Sequence, residues 1–218
     1  PGVCRLTTSR RAAPSRGCVS LRPPPLALRL PEEKTPAIRA GGARFTLPAR
    51  LDVWSFVQGL TLDGLFVMGL SVLAAATLPQ GAALAAGAAL ALRYLAEILL
   101  GPAGGALGEK HGPLGPLILL SLASAAGLAV IGVGALWVGA VVIMVLRGLL
   151  QPLPPVVAAQ ASTGGGRVAA LARLATWRDI GAATGPLAAG VLLPIVPTAP
   201  LYAGAALMLA ATTLALRR

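Results

Sequence analysis

The chain has 218 residues, 56% hydrophobic, 11% charged and 4% aromatic, with a mean hydropathy of +0.80. Water-soluble domains carry about 25% charged residues, so this composition lacks the polar surface a soluble fold needs. The net charge of +11 would point to nucleic acid in a soluble protein, but ten of the 18 Lys and Arg precede residue 51, ahead of the first apolar run, where basic segments face anionic lipid.

Residues 1–50 are rich in Arg, Pro and Ser and show no core-forming periodicity, so they are expected to form a disordered basic cytoplasmic tail or an inter-half loop. No apolar h-region follows a short charged start, which excludes a secretory signal. An organellar transit peptide is disfavoured by the frequent prolines. Cys4 and Cys18, the two cysteines, are expected as free thiols in a reducing compartment. A chain starting at Pro1 reads as a fragment or a processed product.

Residues 51–218 form the second domain, expected as a bundle of six spans. The first runs from Trp54 to Leu78 and takes in Asp63, because the apolar piece after Asp63 is too short to cross ~30 Å at ~1.5 Å per residue. The second covers Ala82–Leu100, the third Leu114–Val133 and the fourth Leu136–Ala158. After the polar loop "QASTGGGR" come a fifth span, Leu174–Leu193, and a sixth, Leu201–Leu216. With six spans, Arg44 and Arg50, Arg217 and Arg218, and the loop residues Lys110, Arg167 and Arg173 share one face. The opposite loops "TLPQG", "GVGAL" and "PIVPTAP" carry no charge. The positive-inside rule puts both ends in the cytoplasm, in a plasma or inner membrane.

The stretch "GPAGGALGEKHGPLG" between spans two and three places charges among glycines and reads as a tight cytoplasmic turn. Its Gly105-Ala106-Leu107-Gly108-Glu109-Lys110-His111-Gly112 resembles the signature of the major facilitator superfamily in this loop, roughly G-x-L-a-D-R/K-x-G-R/K-R/K. Glu replaces the usual Asp, and Pro113-Leu114 stand where basic residues are expected. "RDIGAATGPLAAG" is similar to the family's fifth-span motif, G-x-x-x-G-P-x-x-G-G, through Gly181, Gly185 and Pro186, with Ala189-Gly190 at the final pair. Such spacing gives a smooth face for close packing and a proline kink. Arg147 in "MVLRGLLQPLPPVVAA" matches the fourth-span motif R-x-x-x-G, with Gln151 replacing its glycine. Pro152, Pro154 and Pro155 are expected to break or kink that span.

The resemblance covers residues 54 to 218. It implies an all-α membrane protein in which six transmembrane helices form one half-bundle of a major-facilitator-type transporter, the C-terminal half before the N-terminal. It also implies that Glu109, Lys110, Arg178 and Asp179 form a network closing the cytoplasmic side, with Gly105, Gly108 and Gly112 shaping the turn. Gly181, Gly185, Pro186 and Gly190 are the expected packing motif.

Four charges fall inside apolar sequence: Asp63 in span one, Arg93 and Glu97 in span two, and Arg147 in span four. Each costs ~2.5–3.5 kcal/mol or more at a helix centre, so such residues line a cavity or pair internally. Arg93 and Glu97 are i,i+4 neighbours able to pair on one helix face, as a structural lock or in transport. Asp63 has no sequence-local cation and is the stronger candidate for solute or proton contact, with Gln58 on the same path.

The function expected is transport of a small solute by alternating access, with protons as a candidate coupling ion. The partner is a missing N-terminal six-span half or a second copy. A non-transporting scaffold or assembly subunit is the alternative. An enzyme is not expected: the sole histidine, His111, lies in the turn, HExxH is absent, and no cofactor or metal is implied.

Overall fold

The computed structural model describes residues 48–77, 81–162 and 166–217, all within the unit Thr46–Arg218. The tail expected over residues 1–50, with Cys4 and Cys18, lies outside them apart from residues 48–50. Among the described residues all regular structure is helical: α1 (Arg50–Gln58), a π-helical segment (Gly59–Leu65), α2 (Phe66–Thr77), α3 (Ala82–His111), α4 (Leu114–Gly132), α5 (Leu136–Leu150), α6 (Leu153–Gln160), α7 (Gly166–Leu192) and α8 (Thr198–Ala215). Five stretches are long and apolar enough to span a membrane: Arg50–Leu73, Gly87–His111, Leu114–Gly132, Leu136–Gln160 and Thr198–Ala215. The helix expected as span five is not among them. α7 has 27 residues, but Arg167, Arg173, Arg178 and Asp179 occupy its first half.

The first helix is continuous from Arg50 to Thr77 but changes register in its middle. Thr61 Oγ1 donates to the Val57 carbonyl at 2.8 Å, and the Phe66 N–H reaches back five residues to the Thr61 carbonyl. The wider π turn sits where this hydroxyl bond and the crossing with α7 coincide. α7 packs against this segment. A Cβ on Gly59 would meet the Arg178 carbonyl, one on Gly64 the Gly185 Cα, and one on Gly181 the Phe56 carbonyl. Close backbone approach through small residues is how helices associate where no water drives them together. Phe56 and Trp177 close the same contact edge to face, 6.3 Å apart at 87°.

Residues 101–111, expected as a turn, are the last three turns of α3, with Pro102 inside the helix. Two of the glycines there, Gly104 and Gly108, serve packing. A Cβ on Gly104 would strike the Leu149 carbonyl, and one on Gly108 would lie 2.7 Å from the Leu153 side chain. Facing them, a Cβ on Gly148 would lie 2.6 Å from the Ala96 carbonyl. The reversal is confined to Gly112 and Pro113, and Gly112 has φ +76°, a left-handed conformation that glycine adopts without strain. The fourth helix breaks at Gln151–Pro152, as its prolines predict. Pro152, Pro154 and Pro155 offer no N–H, so the ladder cannot continue from α5 into α6.

Taking Arg50–Thr77 as the first helix, Leu136–Gln160 as the fourth, α7 as the fifth and α8 as the sixth, the first packs on the fifth, the second on the fourth and the third on the sixth. Exchanging helices one to three with four to six maps the first pair onto the second and the third onto itself. Both exchanged crossings rest on close glycine contacts. The interior holds Trp54, Leu62, Phe66, Leu117, Leu128, Ile143, Tyr202 and Leu209. Leu84, Ile98 and Leu99 of α3, Leu119 of α4 and Leu187 and Val191 of α7 point outward, an apolar exterior suited to lipid.

Candidate functional site: a ring of four charges

Asp63 lies in the π segment, Arg93 and Glu97 on α3, and Arg147 on the last turn of α5. The structure joins all four. Arg93 Nη2 donates to Asp63 Oδ1 at 3.1 Å and Arg93 Nε to Glu97 Oε1 at 3.2 Å. Arg147 Nε donates to the same Glu97 oxygen at 2.9 Å, and its Nη2 contacts the same Asp63 oxygen. Acid and base alternate around the ring, and its formal charges sum to zero. The ring is well shielded: side-chain exposure is 2% for Arg147, 8% for Asp63, 14% for Arg93 and 18% for Glu97.

Each of the two guanidiniums bridges both carboxylates from separate nitrogens of its planar fork, which a single ammonium lacks. The ring therefore clamps the first, second and fourth helices at one level. Arg147 Nη1 is buried with no hydrogen-bond partner among the described residues, and Arg93 also lies over the Tyr94 ring at 5.5 Å. Asp63, which has no cation near it in sequence, has two in the fold, because helices distant in sequence supply them. The lock expected between Arg93 and Glu97 is one edge of a larger figure.

Gln58 is not part of it. It is buried beside a separate cleft, with Ser55 of α1, Gln151, Pro154 and Pro155 at the break, and Leu171, Leu174, Ala175 and Arg178 of α7. The cleft measures about 280 Å³, and no ring residue lines it.

The residues expected to form a cytoplasmic gate are dispersed. Glu109 and Lys110 are exposed on the last turn of α3, and among the described residues no ion pair joins them to Arg178 or Asp179. Arg178 Nε instead lies 3.6 Å from the neighbouring Asp179. α3 packs on α2 and α5 while α7 packs on the first helix, so the two charged pairs ride on different crossings. Gly105 faces open space and Gly108 packs on Leu153. Of the packing motif, Gly181 and Gly185 are buried in the crossing, and Pro186 lies against Gly64 with its Cδ 2.9 Å from a Cβ built there. Gly190 is exposed with nothing near it, and Ala189 takes the buried position because the face repeats every four residues.

A second polar set, not singled out by charge in apolar sequence, lies at the start of α1. Asp52 Oδ2 accepts from the Ala49 N–H at 2.8 Å and from Arg173 Nε at 2.8 Å. Trp54 Nε1 donates to Thr213 Oγ1 at 3.1 Å, and Ser55 Oγ to the Leu174 carbonyl at 3.0 Å. An acidic residue three places into a helix that opens an apolar run is a capping signal, and it was legible for Asp52. Among the described residues no three His, Cys, Asp or Glu side chains cluster as metal ligands. No family model matches the chain, and comparison with curated proteins and with solved structures finds no match.

Proposed function

We propose that the chain is one six-helix half of a major-facilitator-type carrier that moves a small solute by alternating access. The ring of Asp63, Arg93, Glu97 and Arg147 carries this reading. Charges within spans are expensive and mark solute or ion pathways, and these four sit where three helices meet. The exchange relation among the helix pairs supports it, since such carriers are built from repeats of three helices. In this reading α7 crosses as the fifth span and both ends lie in the cytoplasm of a plasma or inner membrane. A second six-helix half, or a second copy of the chain, completes the solute path. Protons are the coupling ion the two carboxylates would serve.

The closed pairing favours a second reading, in which the ring is a static lock in a non-transporting scaffold. Solute counterflow in proteoliposomes carrying the complete assembly separates the two. Asp63→Asn is expected to lower counterflow about tenfold or more, ~1.4 kcal/mol in the barrier, with normal membrane insertion. Undiminished flux would reject a transport role for Asp63.

A further inference from the structure

The cleft beside Gln58 has features of a ligand site that the ring does not explain. α1, the Gln151 break with α6, and α7 converge on it. One wall is apolar: Pro154, Pro155, Leu171, Leu174 and Ala175. The polar side chains are Gln58, Gln151 and Arg178, together with the Ser55 hydroxyl already given to the Leu174 carbonyl. Gln58 is only 3% exposed, and its side chain and that of Gln151 line the cleft.

Arg178 is held ready for such a ligand. Its backbone carbonyl is pinned against Gly59 in the glycine crossing, while its side chain turns to the cleft with only the exposed Asp179 at 3.6 Å. Leu171, Leu174, Ala175 and Arg178 recur at helical spacing, so one stripe of α7 supplies the apolar wall and the cation together. A pinned backbone that holds a half-exposed guanidinium beside two cleft-lining amides is a preorganised set of donors.

We propose that this cleft binds a small amphipathic monocarboxylate. Its carboxylate sits on the Arg178 guanidinium and the amide N–H groups of Gln58 and Gln151, and its apolar body lies on Leu171, Leu174 and the prolines. Charge-assisted, fork-shaped pairing is what a guanidinium offers a carboxylate. The volume of about 280 Å³ falls just under the ~300–1,000 Å³ of drug-sized ligand sites, which suits a small ligand. This goes beyond the carrier reading and does not depend on it.

The test is equilibrium binding of labelled benzoate to the full chain in nanodiscs, against the neutral benzamide and the cationic benzylamine. Saturable benzoate binding is expected, with both analogues at least about tenfold weaker. Arg178→Gln should weaken benzoate about tenfold or more while thermal unfolding is unchanged, because that side chain is 38% exposed and its backbone contact remains. Gln58→Leu should weaken it too, and Asp179→Asn should not. No saturable binding, equal affinity for benzamide, preference for benzylamine, or full affinity in Arg178→Gln would each overturn the proposal. Binding is read without flux, so its failure is distinct from failure of the transport reading.

Discussion

Arg147→Met is expected to be the most damaging single substitution in the bundle. It leaves Asp63 and Glu97 with Arg93 as their one common cation, a buried site carrying an uncompensated negative charge. Removing one partner of a buried ion pair costs ~3–5 kcal/mol, which at ~2–4 °C per kcal/mol lowers the melting temperature by about 6–20 °C. Arg147→Lys should fall between, because a single ammonium cannot serve Asp63 and Glu97 from two separate nitrogens as the guanidinium does. Replacing all four ring residues by apolar side chains of similar volume should restore most of the stability, since well-packed apolar substitutes for buried ion pairs are often neutral or better. The same variant should have no transport activity. Thermal unfolding in nanodiscs checks the series, and a fully stable Arg147→Met would show that the arginine compensates nothing.

Gly185→Val should be nearly as severe, for a steric reason. A Cβ there meets the Gly64 Cα and lies 2.6 Å from the Leu60 carbonyl and 2.7 Å from the Leu65 N–H nitrogen. These are backbone atoms, so no side chain can swing aside and the helices must separate. Overpacking costs ~1–3 kcal/mol and occasionally more, and this site belongs at the upper end. Gly190→Val on the same helix is the control: it meets nothing within 4 Å and should change stability by less than ~0.5 kcal/mol. Equal effects at the two positions, read by thermal unfolding in nanodiscs, would mean that α7 does not cross the first helix at Gly185.

Much of the helical layout was legible from hydropathy and proline placement. The break at Gln151–Pro152 followed from three residues without N–H donors, and the inclusion of Asp63 in the first span followed from length alone. What misled was glycine. Gly104 and Gly108 were expected to let helices approach and the chain turn; α5 and α6 do lie against them, but the helix runs on to His111, because local sequence does not reveal which of the two a glycine serves. Gly190 was read from a motif, yet four-residue repetition from Gly181 through Gly185 puts Ala189 on the buried face.

The site was half legible. All four ring residues stood out as charges in apolar sequence, and the Arg93–Glu97 edge was visible as i,i+4 neighbours. The other three edges join residues 30 to 84 positions apart, and no local pattern encodes them. The π segment that carries Asp63 was also out of reach, since it lies at the glycine crossing with α7, which joins residues more than 100 positions apart. The cleft behind Gln58 depends on three elements meeting, and the sequence offered just one of its polar residues as a candidate for solute contact.

The central claim is that Asp63 and Arg147 meet inside a closed ring. A double-mutant cycle with Asp63→Asn and Arg147→Gln, read by unfolding in nanodiscs, tests it most directly. Direct contact predicts a coupling energy of ~0.5–3 kcal/mol, with the double variant more stable than the sum of the single losses implies. Losses that add to within ~0.3–0.5 kcal/mol would place the two residues apart and contradict the ring.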